Sequence, residues 1–482
     1  MLYRFRWVFC QLETLRHCFP PNLRKFLNEL PETLDETYER ILSGINKAQK
    51  EDARRLLQCL TVAARPLQVD ELAELLAFDF EVMDERGIPM LREDWRWNDE
   101  EQAVLLTCSS LIAIVRNGRS RVVQFSHFSV KEYLTSPRLA QSHGDVSRFY
   151  VDLNSAHTIL AQACLGTLLR LDDYAGNSGS KGFPLVEYAA RHWVEHAQFG
   201  NVSSRVRNGM DDLFDNSKPH FSAWIRTHDI DEHWGSFGGV RRDAIGSPLY
   251  YASFCGFYDL AERLIMKHPE QVNANSGLIL APLPAALSNR HFRVADLLIK
   301  HGAVVDVRDR DGWSPLYVTV QILQSVDITR WLLKHGANPS VQTNIRRTPL
   351  HCGAYNANLE AVQVLLEYDA DVSLRDTEDG NTPLHDVLTE IRISPLPEGK
   401  VVEIVRRLLE YGANPNIRSA DGSTPLHHAS SCGSLEATSL LLHYGANIDE
   451  KDGEGKTPLQ VASSYGHDSI MKLLLEQGAA AP

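Results

Sequence analysis

Thr348-Pro349-Leu350-His351, Thr382-Pro383-Leu384-His385 and Thr424-Pro425-Leu426-His427 are three copies of one tetrapeptide. Weaker copies stand at Ser247-Pro248-Leu249-Tyr250, Ala281-Pro282-Leu283-Pro284, Ser314-Pro315-Leu316-Tyr317 and Thr457-Pro458-Leu459-Gln460. Successive starts lie 34, 33, 34, 34, 42 and 33 residues apart, so a repeat with one insertion organises the C-terminal half. Outward from each copy, about twenty residues on, stands a stop: Gly302-Ala303, Gly336-Ala337, Gly412-Ala413, Gly445-Ala446 and Gly478-Ala479, with Asp369-Ala370 as the variant. A Thr or Ser hydroxyl accepts from the unpaired amides of a first helical turn, and Pro after it has the right φ and no amide to waste. Leu, Ala and Val recur at three- and four-residue spacing, and Gly supplies the left-handed residue that ends a helix. Each period therefore reads as a pair of short helices. One such pair cannot cover its own apolar face, so neighbours must dock to complete a core.

These starts, stops and periods resemble the ankyrin repeat family. The resemblance implies an α-solenoid over residues 244–480, with seven repeats starting near 247, 281, 314, 348, 382, 424 and 457. It further implies hairpins that project as fingers beside a concave helical surface, where a protein partner is held. Asp311-Gly312, Asp379-Gly380 and Asp421-Gly422 are the hairpin turns, since both residue types tolerate positive φ. The candidate partner-binding residues are Arg308, Arg310, Trp313, Asn344, Arg346, Arg347, Arg375, Glu378, Arg418, Lys451 and Glu454. Charge on turns also serves plain solvation, whereas Trp313 is the residue type of an interface hot spot or of packing against the next hairpin.

Departures from the pattern carry expectations of their own. Ala281 cannot cap a helix, and Tyr250, Pro284 and Tyr317 replace the usual His, so the first three repeats are the less well specified. The extra residues near Arg392 to Lys400 fall between the two helices of the fifth repeat, away from the hairpin tips, and are expected to form a mobile loop.

Residues 1–240 show no repeat and read as mainly helical. Leu34, Tyr38, Ile41, Leu42 and Ile45 form one apolar stripe; Leu56, Leu57, Leu60 and Val62 form a second that stops before Arg65-Pro66; a third helix runs from Asp70 to Leu76. Leu111 to Val115, the turn Asn117-Gly118 and Arg121 to Phe125 predict a β-hairpin, followed by a helix over Ser129 to Leu134. Helices followed by a β-wing predict a winged helix. Gln11 to Leu15, Glu29 to Arg40 and Phe125 to Leu134 resemble the region after the NTPase core of fungal NACHT-ankyrin proteins, which are NOD-like receptor relatives. The winged helix is similar to the one named for GPI inositol-deacylase, a label without deacylase activity.

That resemblance implies a helical tail of a NACHT-type module at 1–48, a winged helix at 49–140, a helical connector at 141–243 with a loop over Asp172 to Gly182, and a sensor role in non-self recognition or innate immunity. No Walker A loop is present: Gly455-Lys456-Thr457 has Glu450 at the leading position, and Thr457 already opens a repeat. Met1 is accordingly expected to enter at the tail of the NTPase module.

Two other chemistries have a signal in the sequence. His192-Trp193-Val194-Glu195-His196 matches H-x-x-E-H, the spacing of a zinc hydrolase, but no third ligand or cleft accompanies it, and Trp193 reads as packing. A winged helix can bind DNA, yet Asp70, Glu71 and Glu74 would repel phosphate. Net charge is -13, the eight cysteines lack zinc spacing, and no run approaches ~18 apolar residues. The reading is a cytoplasmic, non-enzymatic scaffold of mainly α fold that binds a protein partner, with no cofactor, metal, nucleic acid or membrane.

Overall fold

A computed structural model describes residues 33–97, 99–108, 110–118, 120–142, 144–171, 183–228, 230, 245–274, 281–390 and 398–480. The chain divides into two compact units, residues 1–248 with 259–264, and residues 249–258 with 265–482. The expected loops at Asp172 to Gly182 and near Arg392, and the motif at Gln11, lie outside the described residues.

The first unit opens with helix α1, Leu34–Ser43, whose start is a capping box: Glu36 N–H donates to Thr33 Oγ1 and Thr33 N–H to Glu36 Oε2. Next come α2 (Lys50–Val62), β1 (Leu67–Gln68), α3 (Val69–Leu76), β2 (Phe78–Met83), β3 (Pro89–Leu91) and α4 (Glu100–Cys108). Strands β4 (Ile112–Asn117) and β5 (Ser120–Phe125) follow, then α5 (Phe128–Leu134). β4 and β5 pair antiparallel from Ile112 opposite Phe125 to Asn117 opposite Ser120, and β1 joins the far edge of β5. This is the expected hairpin, with Gly118 at φ 62° in its turn. The β2–β3 hairpin was not foreseen, although Phe78, Phe80 and Val82 alternate with Asp79 and Glu81 as a strand requires.

The stretches around Tyr38 and Ser129, two of the three singled out in the sequence, meet in space. Tyr38 Oη lies 2.8 Å from Ser129 Oγ, which lies 2.6 Å from His127 Nδ1, and the Tyr38 and Tyr133 rings stand 5.4 Å apart. Their shared residues therefore pin α1 onto α5.

After α6 (Pro137–Gln141), helices α7 (Leu153–Leu168) and α8 (Val186–Gln198) pack on one another, with α9 (Val202–Arg205), α10 (Arg207–Leu213) and α11 (His220–Thr227) around them. Trp193 is fully buried, with Trp224 edge-on at 5.3 Å and Phe214 at 6.1 Å.

The second half of the chain is a series of helix pairs, seven among the described residues: α12 (Pro248–Phe254) with α13 (Tyr258–Lys267), α14 (Pro282–Ser288) with α15 (Phe292–Lys300), and α16 (Pro315–Val318) with α17 (Val326–Lys334). The remaining pairs are α18 (Pro349–Tyr355) with α19 (Leu359–Glu367), α20 (Pro383–Glu390) with α21 (Glu398–Glu410), α22 (Pro425–Cys432) with α23 (Leu435–His443), and α24 (Pro458–Tyr465) with α25 (Asp468–Glu476). α18, α20, α22 and α24 pack one on the next, as do α17, α19, α21, α23 and α25, so each pair completes its neighbour's core. Glu398 to Lys400, expected in the inserted loop, already belong to α21. Ala281 makes no side-chain cap, as its chemistry requires, and α16 is short and runs into a π-helical turn at Thr319–Leu323. Cys59, Cys164, Cys255 and Cys352 are buried.

The Thr-Pro-Leu-His start explains itself in the packing. Thr348 Oγ1 accepts from His351 N–H, while His351 Nδ1 accepts from Thr348 N–H at 3.2 Å and from Thr348 Oγ1 at 2.8 Å. Its Nε2–H then donates across to Asn381 O, 3.1 Å away in the next repeat; His427 does the same to Lys456 O. In the seventh repeat Gln460 Oε1 accepts from Thr457 N–H and keeps the cap without the cross-link.

Burial holds His351 down at about 4 and His385 at about 3, against an ordinary 6.5. Between about pH 6.5 and 4 the unfolded chain therefore binds more protons at these sites, and their contribution to stability is lost as pH falls. His351→Gln, which copies the seventh repeat, is expected to cost about 1–2 kcal/mol at pH 7.5 for the lost cross-link. By urea denaturation at a series of pH values, the gap to the parent chain should narrow as pH drops towards 4; a gap independent of pH would contradict the neutral, Nε2-protonated imidazole.

Candidate protein-binding face of the repeats

From the third repeat to the seventh, the inner helix is preceded by a finger closed by its own backbone bond: Asp309 N–H to Trp313 O, Thr343 N–H to Arg347 O, Asp376 N–H to Asn381 O, Ser419 N–H to Ser423 O and Asp452 N–H to Lys456 O, all at 2.8–3.1 Å. Neighbouring fingers are tied in turn, through Asn344 N–H to Asp311 O, Thr377 N–H to Ile345 O, Ala420 N–H to Asp379 O and Gly453 N–H to Asp421 O. The finger row is thus a ladder held at fixed spacing. Gly312 and Gly422 have φ of 77° and 82°, and a Cβ on either would come within 2.8 Å of the next finger's backbone, so only glycine fits. Arg346 occupies the same place in the fourth finger at φ 60°.

Nine of the predicted residues, Arg308, Arg310, Asn344, Arg346, Arg375, Glu378, Arg418, Lys451 and Glu454, are exposed on this ladder. Several also hold it together. Asn344 Nδ2 donates to Arg310 O at 2.7 Å, Arg375 Nε donates to Gly380 O at 2.9 Å, and Arg418 pairs with Glu450 at 3.0 Å. Trp313 is half-buried, its ring 5.0 Å from Tyr317 in its own repeat rather than on the following finger.

Arg347 turns inward. Its Nη2 reaches the Asp386 carboxylate at 2.7 Å, and its guanidinium lies 5.4 Å over the Tyr355 ring. Asp386 is 3% exposed, and Asn381 Nδ2 donates to its second oxygen at 3.1 Å. Burial pushes the Asp386 carboxyl up to about 7, with Arg347 pulling against it. Arg347 is therefore a brace between the fourth and fifth repeats.

A groove of about 760 Å³ runs between the fingers and the inner helices of the last three repeats. Its finger wall carries Asp379, Asp421, Asp452 and Glu454, and its helix wall carries Thr389, His428, Ser431, Ser464 and Tyr465. Of the predicted residues, Glu454 lines it. Burial alone would raise the Asp421 carboxyl, but bonds from Ser419 and Ser423 hold it below the usual range. Sequence reasoning passed over the rest because it placed recognition on the fingers alone, by residue type, and left out the inner-helix wall. The signal was present: Asp379, Asp421 and Glu454 stand three residues before Thr382, Thr424 and Thr457, while Thr389, Ser431 and Ser464 stand seven after.

The H-x-x-E-H motif sits on α8. His196 is fully buried with both ring nitrogens engaged: Nε2 is 2.8 Å from Tyr188 Oη and Nδ1 is 2.9 Å from His157 Nδ1. Burial lowers it to about 3, so it is a neutral link in a packed core and offers no lone pair to a metal. Among the described residues no group of three metal-ligating side chains converges. In the winged helix, Glu71 and Glu74 are buried against Arg65 and Arg96 at 2.5 Å, leaving Asp70 as the carboxylate of that trio outside such a pair. Glu100 and Glu101 open α4, immediately before the wing.

The profile of the ankyrin repeats matches this chain in three copies, at residues 249–343, 324–390 and 397–481, and that of the GPI inositol-deacylase winged helix domain matches residues 38–146. The chain thus carries ankyrin repeats and a winged helix of that type. The azaphilone pigments biosynthesis cluster protein L of Monascus ruber is 34% identical over 306 residues, 58% of this chain and 61% of that protein. Ankyrin repeat protein nuc-2 of Neurospora crassa is 25% identical over 430 residues, 86% of this chain and 36% of that protein. The chain therefore spans less than two thirds of either relative. Among solved structures, the ankyrin repeat domain of Bcl-3 aligns with 48% of this chain and 98% of its own length, at 27% identity and a TM-score of 0.42. Among the described residues no helix is long and apolar enough to cross a membrane.

Arg347→Ala leaves Asp386 buried and unpaired and is expected to cost about 3–5 kcal/mol, whereas joint replacement of both by Leu should recover most of that. Chemical denaturation of the single and double variants checks this; an Arg347→Ala loss under about 1 kcal/mol would mean the pair is solvated.

Proposed function

We infer that this chain is a protein-binding scaffold whose ligand is held by the ankyrin fingers and the groove beside them, and that it works by binding rather than catalysis. The observation that carries this reading is the finger ladder: its backbone bonds are satisfied within the array, while its side chains are left exposed at fixed spacing. A rigid row of this kind lowers the ordering cost of binding.

The finer reading is the sensor arm of a fungal NOD-like receptor type, cytoplasmic, with a role in non-self recognition or innate immunity. Its support is the order of winged helix then repeats, and relatives from two fungi with repeats or a biosynthetic cluster in their names. In that reading nucleotide-driven assembly belongs to an NTPase module, and this chain alone neither binds nor hydrolyses ATP. The acidic opening of α4 supports a winged helix that packs on protein rather than on nucleic acid.

The test is affinity capture with the full chain against Arg308→Glu, Arg346→Glu and Arg375→Glu combined. These residues are exposed and the change removes one exposed side-chain bond, Arg375 to Gly380 O, so the fold should persist by circular dichroism, while partner recovery falls about tenfold as rim charge is reversed. Undiminished recovery would refute the finger face. ATP turnover above background, or salt-sensitive retention of duplex DNA, would refute the scaffold reading itself.

A further inference from the structure

We propose that the groove of the last three repeats holds an extended, lysine- or arginine-bearing peptide segment whose cations recur at every third residue. This rests on the scaffold reading above and names the chemistry of its partner.

The charged lining of the groove is mostly acidic. Four carboxylates line it against one ammonium, that of Lys456, which is already paired with Glu454 at 2.7 Å. The hydroxyls point the same way. Ser431 Oγ donates its hydrogen to His428 O and Ser464 Oγ to Gln460 O, both at 2.9 Å, which leaves lone pairs on the two serines for an incoming donor, while Thr389 Oγ1 is held between His385 O and His428 Nδ1 at 3.0 Å. On the same wall Asn381 is 6% exposed, and its amide oxygen has no hydrogen-bond partner among the described residues. A buried acceptor without a donor is a cost that a ligand N–H would relieve. The carboxylate of Asp379 likewise has no ion pair among the described residues, so its charge is free to meet a cation.

A metal ion does not answer these features, since no three potential ligands converge. The carboxylates stand on successive fingers, Asp379 on the fifth, Asp421 on the sixth, and Asp452 beside the Lys456-paired Glu454 on the seventh. The pattern also ends where the groove ends: in the fourth repeat the equivalent places are taken by Ile345 and Tyr355. Packed helices stand about 8–10 Å apart, and a polyproline II chain returns the same face every three residues after about 9 Å. Cations three residues apart on such a chain therefore meet successive fingers. Tyr465, 53% exposed at the last repeat, adds a ring face for the terminal cation.

The probe is a fluorescein-labelled Lys-Pro-Pro-Lys-Pro-Pro-Lys peptide, titrated with the full chain and followed by anisotropy at low salt. Saturable binding is expected, about fivefold tighter than for a peptide of the same composition with its three lysines adjacent. Combined Asp379→Asn, Asp421→Asn and Glu454→Gln removes the three charges at nearly constant size, exchanging one acceptor oxygen of each for an amide NH2, and should weaken binding about tenfold, a few-fold for each exposed pair lost. Should the triple variant fold poorly, Asp379→Asn alone should weaken binding about threefold. No saturable binding, equal affinity for the clustered peptide, or unchanged affinity in the variants would overturn the proposal. Partner capture that still depends on Arg308, Arg346 and Arg375 would then leave the scaffold reading standing.

Discussion

The three repeats that start at 348, 382 and 424 depend on one hydrogen-bonded unit, the imidazole cap at the start of an inner helix. A Thr hydroxyl alone would satisfy one orphan amide. His three residues on satisfies the Thr amide as well and still has Nε2–H to spend. At His351 and His427 it is spent across the repeat boundary, because Asn381 O and Lys456 O belong to the following finger, whereas His385 Nε2 makes no such bond among the described residues. Helix start, finger position and repeat spacing thus become one constraint. The imidazole must remain neutral and its tautomer fixed, which burial enforces.

Polar chemistry inside the first unit follows a similar logic with different partners. Ala64 N–H, Tyr188 Oη, His196 and His157 form a continuous chain linking the residues after α2 to α8 and α7. Buried polar groups of this kind are tolerable only when every member is matched, and here the matching uses both nitrogens of His196. A spacing that reads as zinc chemistry is thereby absorbed into packing.

Helix starts and stops in the repeats were legible because capping and left-handed termination are local: Thr-Pro and Gly-Ala state them within a few residues. The winged-helix hairpin at Asn117-Gly118 was legible for the same reason. What escaped was non-local. Arg347 looks like any finger cation in sequence; its inward turn depends on Asp386, 39 residues away and buried. The weight on Asp70, Glu71 and Glu74 met the same difficulty, since two of the three are neutralised by Arg65 and Arg96. The groove was half legible: its carboxylates and hydroxyls keep strict register with the Thr caps, but that they share one space is a fact of the fold. Arg346 at positive φ was hidden too, although aligning the fingers would have shown it standing where the others carry glycine.

The finger ladder has a consequence for how such a chain tolerates growth. Between α20 and α21 the period lengthens to 42 residues, yet Ala420 N–H still reaches Asp379 O at 2.7 Å, and Thr389 Oγ1 still lies 3.0 Å from His428 Nδ1. Register is kept on the edge where fingers and caps interlock, so extra sequence entering between the two helices of a repeat leaves that edge undisturbed. The array is permissive on one flank and strict on the other, and lineages can vary the first without redrawing the second.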